Sequence, residues 1–312
     1  MSLVIGMDEA GYGPNLGPLV ITASSWIVPG DPRRFDFWSV LSEAVSQQPT
    51  RDSRLHIADS KQVYSPSRGI APLERSVLAV LSLLGECPVS FRQLMVAITG
   101  SADFLDVELW FRDADQSLPL AADSADIAAA ATRLKTALDA AGVQLKSIRS
   151  DVVLTERFNQ SVERFDNKAG ALSNFAFELM KQVWPTPHEP TLVIGDKHGG
   201  RNRYDDLISG IVPDDMIFRQ EEGRALSRYK VGQTELRFQT GAEAHFPVAV
   251  ASMVCKYARE VSMELFNRYW LGHVAGLKPT KGYPEDAKRF RADIGQTPQQ
   301  LGLSDSQYWR CR

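Results

Sequence analysis

The sequence predicts an α/β protein with helices packed on a central sheet, and three observations carry the prediction. Strand-like and helix-like stretches alternate along the chain. Two short apolar runs, residues 3–7 and 191–195, each end in acidic residues. No internal repeat, low-complexity tract or clear linker interrupts the pattern. The 312 residues, 44% hydrophobic and 23% charged, form a chain long enough for a large core, which excludes disorder and collagen-like repeats.

Leu3-Val4-Ile5 opens the first strand, the glycines and proline of Gly11-Tyr12-Gly13-Pro14 turn the chain, and β-branched residues over 19–28 give a second strand. Pro29-Gly30-Asp31-Pro32 breaks the pattern, and apolar spacing over 35–45 predicts a helix. Ser65-Pro66 is read as opening another, with Ile70, Leu73, Val77, Val80, Leu81 and Leu84 as its core stripe. Residues 89–98 and 107–112 read as strand-like. Asp113, Asp115, Asp123 and Asp126 lie in a loop that lacks the spacing and glycine of a calcium-binding hand. An alanine-rich helix over 127–141, a helix over 168–183, a proline-rich turn at 185–190, a buried strand over 191–196 and a helix over 246–257, extended by 261–269, complete the reading.

Charge and cysteine usage narrow the function. Thirty-five basic against thirty-eight acidic residues give a net charge of −3, so a polyanion must be met by a local patch or through metal ions. Cys87, Cys255 and Cys311 are too few and too far apart for a disulfide framework or zinc knuckle, and a reducing cytoplasm is expected. The amino terminus has no basic leader region, and no segment reaches the apolar length of a membrane helix.

The chemistry concentrates at the acidic strand ends, where open α/β sheets place their ligands. Asp8 and Glu9 would face opposite sides in mid-strand, but at a strand end followed by Gly11 and Gly13 they are expected to converge. Asp196 adds a third set of oxygens, a donor set suited to magnesium or manganese. Any one of these acids alone reads as a cap or a solvated residue. His198, two residues after Asp196, is read as a surface residue with proton transfer as the alternative, His245 as a packing or capping residue, and Cys255 as a small buried one. Gly11-x-Gly13 lacks the third glycine and the Lys-Ser/Thr of phosphate loops.

Met7-Asp8-Glu9-Ala10-Gly11-Tyr12-Gly13-Pro14 with Gly17-Pro18-Leu19-Val20 resembles the opening motif of the type 2 ribonucleases H, the HII and HIII families. Asp59-Ser60-Lys61 resembles their DSK motif. Thr240-Gly241-Ala242-Glu243-Ala244-His245-Phe246-Pro247 and the residues to Lys256-Tyr257 resemble the segment carrying their fourth acid and the following helix. Gly282-Tyr283-Pro284-Glu285-Asp286 is similar to the GYPSD-type motif of some HII members. Four motifs in the family's order span most of the chain.

The resemblance implies a ribonuclease H-like fold in one catalytic domain over 1–312, with an insertion at about 87–150. It implies metal-binding acids at Asp8, Glu9, Asp196 and Glu243, and magnesium or manganese as cofactor, two ions with substrate bound. The implied reaction is hydrolysis of the RNA strand of RNA–DNA hybrids, or of DNA containing ribonucleotides, to 5′-phosphate and 3′-hydroxyl ends. Two ions roughly 4 Å apart would activate water and stabilise the leaving oxygen. Gly11, Tyr12, Gly13, Lys61, Lys256 and Tyr283 are the implied substrate contacts, with a basic run at Lys197, His198, Arg201 and Arg203 beside Asp196 and a patch at Lys278, Lys281, Lys288, Arg289 and Arg291. Lys256 has an alternative as half of a structural ion pair, and Lys288, Arg289 and Arg291 as a solvated helix face. No membrane and no obligate protein partner are implied.

Glu243, Phe158-Asn159 and Asn167-Lys168-Ala169 resemble HIII, whereas Tyr283 resembles the HII tyrosine that contacts the ribose at an RNA–DNA junction. With the first acid eight residues in, the amino-terminal domain usual in HIII is not expected. Tyr12 stands where HII has arginine, which removes a bidentate phosphate grip. The tyrosine is open to stacking, hydrogen bonding or packing in the turn. The alternative to an enzyme is a hybrid-binding protein with weak or lost turnover.

Overall fold

The computed structural model describes residues 1–184 and 186–311. Its strands are β1 (Ser2–Ala10), β2 (Leu19–Val28), β3 (Val45–Ser46), β4 (Leu55–His56), β5 (Gln144–Val153), β6 (Thr191–Asp196), β7 (Ile217–Glu222), β8 (Leu226–Val231) and β9 (Thr234–Gln239). Seven of them form one mixed sheet in the order β5-β2-β1-β6-β9-β8-β7, and β3 pairs with β4 alone. β1 runs antiparallel to β2 and parallel to β6, and β6 parallel to β9; the other neighbours are antiparallel.

The helices are α1 (Phe37–Val40), α2 (Ser60–Val63), α3 (Ala71–Leu81), α4 (Phe91–Thr99), α5 (Ser124–Ala140), α6 (Thr155–Phe165), α7 (Lys168–Val183), α8 (Asp205–Ile211), α9 (Phe246–His273), α10 (Pro284–Ile294), α11 (Thr297–Gln300) and α12 (Asp305–Tyr308). They cover both faces of the sheet, as expected of an α/β protein. Alternation along β1 divides the core. Leu3, Ile5 and Met7 join Phe158 of α6, Phe175 of α7 and Ile208 of α8, whereas Val4 lies with α3, α4, α5 and α9. Gly6 is on the α9 face, where a Cβ would stand 2.3 Å from Pro247 and Val248. Glycine there lets the start of α9 lie directly on β1.

The strands at 19–28 and 191–196 and the helices at 168–183 and 246–273 stand where the pattern placed them, and the first strand, read over 3–7, spans 2–10. Elsewhere the reading is corrected. Residues 35–45 hold only the four-residue α1, capped by Asp36, whose carboxylate accepts from the Trp38 and Ser39 amides. The helix expected from Ser65-Pro66 starts at Ala71, after a turn. Residues 91–99 are helix rather than strand. Ser90 caps it, Phe91, Leu94, Met95 and Ile98 are buried at helical spacing, and Gly100 ends it in the left-handed conformation. Residues 107–112 are the end of a 3-10 stretch (Asp103–Val107) and a turn that buries Trp110 and Phe111. Of the proline-rich turn, Pro185 lies outside the described residues, and 187–189 do turn. Among the described residues no helix is long and apolar enough to cross a membrane.

Candidate active site

Parallel pairing of β1 with β6 matches Met7 to Gly195, so Asp8 and Asp196 emerge at the same end of adjacent central strands. Asp196 in turn pairs with Gln239 at the end of β9. The chain then passes through Gly241, at φ +68°, into a single 3-10 turn (Ala242–Ala244) that carries Glu243. Topology thus delivers acids from three segments to one edge of the sheet.

β1 continues to Ala10, which alters the expected convergence of Asp8 and Glu9. Still in strand, the two take opposite faces. Asp8 lies against α9, where the Ser252 hydroxyl hydrogen-bonds its carboxylate and the Cys255 thiol donates to its backbone carbonyl at 3.2 Å. Glu9 shares the face of Met7. Burial, then the Glu9 charge, pushes the Asp8 carboxyl well above the usual range. Burial, then the Asp196 charge, raises Glu9 to about 7, with Glu243 adding to the repulsion and Lys61 opposing it. Burial likewise raises Asp196, against amide hydrogen bonds from Lys197, Ala242 and Gly241.

The charge of Lys61 reaches both Glu9 and Asp196. Asp59 accepts from the Lys61 amide at 3.1 Å and caps α2, and the Ser60 amide donates to Ser252 Oγ at 3.4 Å. Ser252 thereby joins the 59–61 segment to Asp8.

A second structure borders the acids. The loop 11–18 starts at Gly11, whose φ of +91° and 2.5 Å approach of a Cβ to the Pro18 carbonyl leave room only for glycine. Gly13 is exposed and meets no such limit. Two buried arginines grip the loop from beneath. Arg259 of α9 donates to the carbonyls of Pro18 (2.7 Å) and Leu16 (3.0 Å), and Arg310 to those of Gly11 (2.5 Å) and Gly17 (3.4 Å). Burial drives the Arg259 guanidinium down to about 10 and that of Arg310 to about 9. Tyr12 is half-buried beside the α7 layer, with Lys168 Nζ 6.0 Å from its ring centre; burial and the Glu9 charge raise its hydroxyl. Gly282 rides on the same loop, its carbonyl accepting from the Asn15 amide at 2.7 Å, and Tyr283 beside it is 53% exposed.

Most of the other sequence-derived cations are committed elsewhere. Lys256 takes its structural alternative, an ion pair with Glu260 at 2.7 Å, which Lys281 completes at 2.7 Å. Lys197 Nζ donates to Gly223 O (2.6 Å) and Ser227 Oγ (2.7 Å), and Arg203 pairs with Glu222 at 3.6 Å. Lys288 pairs with Glu285, Arg289 with Asp286 and Asp293, and Arg291 with Asp305. Lys278 remains exposed.

His198 corrects its surface reading. It is buried among Phe177, Tyr204 and Phe238, with Ser173 Oγ 3.2 Å from Nδ1, and burial lowers it to about 4, so it stays neutral. His245 is half-buried at the start of α9 without a capping hydrogen bond, and Cys255 is buried. The sequence reading missed Ser252, Arg259 and Arg310. Positions 252, 255 and 259 share one helical face, a signal available from the spacing around Cys255; nothing local marks Arg310.

The donor set fits a divalent cation. Burial raises Asp8, Glu9 and Asp196, repulsion from neighbouring acids adds to this at Asp8 and Glu9, and Asp196 Oδ1 is buried with no hydrogen-bond partner. As placed, however, no three His, Cys, Asp or Glu side chains among the described residues converge into a cation cage.

No protein-family model matches the chain, and no curated protein matches it. Among solved structures it is similar to ribonuclease HII from Archaeoglobus fulgidus, in a complex with PCNA, at 15% identity and a TM-score of 0.46, over 99% of this chain and 94% of that one. It is also similar to ribonuclease H2 from Pyrococcus horikoshii OT3, at 15% identity and a TM-score of 0.47, over 98% and 92%. A third is Bst ribonuclease HIII in complex with Mn2+, at 16% identity and a TM-score of 0.42, over 99% and 65%. Likenesses this distant assign no chemistry, which rests on the chain's own residues.

Proposed function

We propose that the protein is a metal-dependent endonuclease of the type 2 ribonuclease H kind, cutting the RNA strand of RNA–DNA hybrids to 5′-phosphate and 3′-hydroxyl ends. The observation that carries this reading is the delivery of Asp8, Glu9, Asp196 and Glu243 to one end of the central strands, where burial makes the negative charge of the first three costly. These four side chains would hold magnesium or manganese. Bound ions supply Lewis acidity that activates water and stabilises a leaving 3′-oxygen.

The chain's own residues do the positioning. Ser252 holds the Asp8 carboxylate, and Lys61 places positive charge beside Glu9 and Asp196. The loop from Gly11 to Gly13 presents backbone groups at the edge of the acids, within reach of a ribose 2′-hydroxyl, the group that separates RNA from DNA. Arg259 and Arg310 fix that loop by its carbonyls. Tyr283 offers an exposed ring beside it. Lys61 is carried forward as a phosphate contact, whereas Lys256 serves to hold Glu260.

Two duplexes at fixed salt test the proposal, one with a single ribonucleotide in DNA and one with a run of ribonucleotides on DNA, each with magnesium, manganese or chelator. Metal-dependent cutting is expected. Cutting at the single ribonucleotide gives HII-like selectivity, with Tyr283 sufficient in the absence of the arginine replaced by Tyr12. Cutting of the longer run alone gives HIII-like selectivity. Tight hybrid binding with no cutting under either metal overturns the enzyme reading in favour of a binding protein.

A further inference from the structure

Residues 87–150, the segment expected to be an insertion, carry one buried acid that reaches toward the substrate loop. Glu108 follows the 3-10 stretch at 103–107 and is 6% exposed. It is tied to α6 rather than to its own segment. Its Oε1 accepts from the Thr155 amide at 2.8 Å, at the first residue of a helix whose N-cap, Leu154, makes no side-chain capping bond. Two residues on, Trp110 is buried edge-on against Phe266 of α9, ring centres 5.1 Å apart.

α6 in turn holds the carboxy-terminal segment. Asn159 donates to the Ser306 and Trp309 carbonyls, both at 2.9 Å, and accepts from the Cys311 amide at 2.8 Å. Phe158 lies against the Arg310 guanidinium, 3.8 Å from its ring centre. The Arg310 amide donates to the Asn15 carbonyl at 2.8 Å, and Asn15 Nδ2 donates back to the Arg310 carbonyl at 3.1 Å. Together with the bonds from Nη1 to Gly11 and Gly17, these contacts form a continuous path from Glu108 through α6 and Arg310 to the loop 11–18.

Charge balance gives the path its purpose. Burial, then the like charge of Arg259, works against the Arg310 guanidinium, and Glu108 is the carboxylate that works for it. A buried guanidinium is costly unless a carboxylate compensates it. Nε and Nη2 of Arg310 have no hydrogen-bond partner, and neither do Thr155 Oγ1 and Trp110 Nε1, whose side chains favour the charged form of Glu108. Glu108 Oε2 is likewise unpartnered, so it is an acceptor with capacity left. Glu74 is the contrast. Its buried carboxylate already takes up the amides of Leu120, Ala121 and Ala122 and the Tyr257 hydroxyl.

We propose that Glu108 is a positioning residue for the substrate loop: it holds the start of α6 and compensates Arg310, and through them it fixes the Gly11 and Gly17 carbonyls. The inference rests on the reading of that loop as the part that meets the ribose, and it gives the 87–150 segment a share in substrate recognition.

Amide exchange at pH 8, where Glu108, raised by burial to about 7, is ionised, reads the loop without turnover. The Asn15 and Leu16 amides both donate to the Gly282 carbonyl and report loop opening. Glu108→Gln should speed their exchange at least about tenfold, the size expected for losing a charged partner. Arg310→Met should do the same, and the double variant should be no faster than Arg310→Met alone, the non-additivity of groups that act as a unit. Glu108→Asp, which draws the charge back by one methylene, gives the same cycle if the glutamine variant does not fold. Leu134→Ala, in the buried face of α5, lowers global stability and should leave these two amides unchanged. In single-turnover cleavage at saturating enzyme, Glu108→Gln should lose about tenfold in rate with hybrid Kd unaltered, a split that general destabilisation does not produce. A parent that cuts neither duplex sinks the nuclease reading and leaves the exchange cycle readable. Unchanged exchange in the Glu108 variants, additive effects in the double variant, or equal acceleration in Leu134→Ala would each overturn the proposal.

Discussion

The fold treats the acids at the sheet edge and the cations around them in opposite ways. Asp8, Glu9 and Asp196 are left to repel one another in a buried setting, so their carboxyls are pushed upward. Lys256, Lys281, Lys197, Arg203, Lys288, Arg289 and Arg291 are instead bound by carboxylates, carbonyls or hydroxyls of the chain itself. The contrast shows where unspent charge lies. Most of the nearby positive charge already serves the fold, so under the proposed function recognition of a polyanion would fall to metal, backbone and a few side chains.

The comparison breaks most visibly at the acids. Asp8→Asn with Asp196→Asn should lower hybrid cleavage by roughly a thousandfold or more under either metal, with the fold intact. Circular dichroism and a single-turnover assay measure the two properties separately. An unaltered cleavage rate would mean that the acids are only a buried structural liability.

The next largest effect concerns Arg310, one of the two buried cations that hold the loop by its carbonyls. Arg310→Ala removes donors from the Gly11 and Gly17 carbonyls and the guanidinium that lies 3.8 Å above the Phe158 ring, leaving a void. We expect a loss of about 2–4 kcal/mol in urea unfolding, with faster amide exchange in residues 11–18. A change under about 1 kcal/mol would show that Arg259 and the Asn15 contacts hold the loop unaided.

How much of this was legible in the sequence follows the same division. The central strands and α9 are apolar, their periods are clean, and the acids sit at their ends, so both core and candidate site could be read. β7 could not: Phe218, Arg219, Gln220 and Glu221 are all exposed on an edge strand, without inward alternation. Residues 91–99 misled because Val89, Val96 and Ile98 suggest strand, whereas the deciding signal is the buried spacing of Phe91, Leu94, Met95 and Ile98 behind the Ser90 cap. Arg310 was invisible for another reason, since its partners lie about 300 residues away in sequence. The turn expected directly after Met7 is displaced because β1 runs to Ala10, yet the charges of Asp8 and Glu9 still act on each other.

The buried negative charge has a pH signature. Glu9 holds its proton up to about 7 in the folded chain and to about 4.5 when free. Below 4.5 both states are protonated and the group contributes nothing. Between 4.5 and 7 the folded state binds the extra proton, so stability falls as pH rises, and above 7 the penalty is complete. Glu9→Gln should therefore stabilise the metal-free protein at pH 8 by about 1–2 kcal/mol and leave it unchanged at pH 4. Glu108, raised to about 7 by burial, adds a penalty of the same sign that this variant leaves in place. Added manganese should raise Tm more at pH 8 than at pH 5, and equal increments at both would mean that the carboxylates do not receive the ion.

The smallest effect separates committed cations from free charge. Lys61 is exposed and acts on Glu9 and Asp196, so if it contacts a phosphate, Lys61→Gln should weaken hybrid binding and reduce the slope of log K against log salt by about 0.7–0.9. Lys288→Gln and Arg289→Gln lie in the α10 ion pairs, and should leave that slope unchanged and stability within about 0.5 kcal/mol. Fluorescence anisotropy of a labelled hybrid over a salt series, in chelator to prevent cutting, reads the slopes directly. Equal slopes for Lys61→Gln and the parent would remove Lys61 from the substrate contacts, whereas a shallower slope for the α10 variants would mean that their ion pairs open to the polyanion.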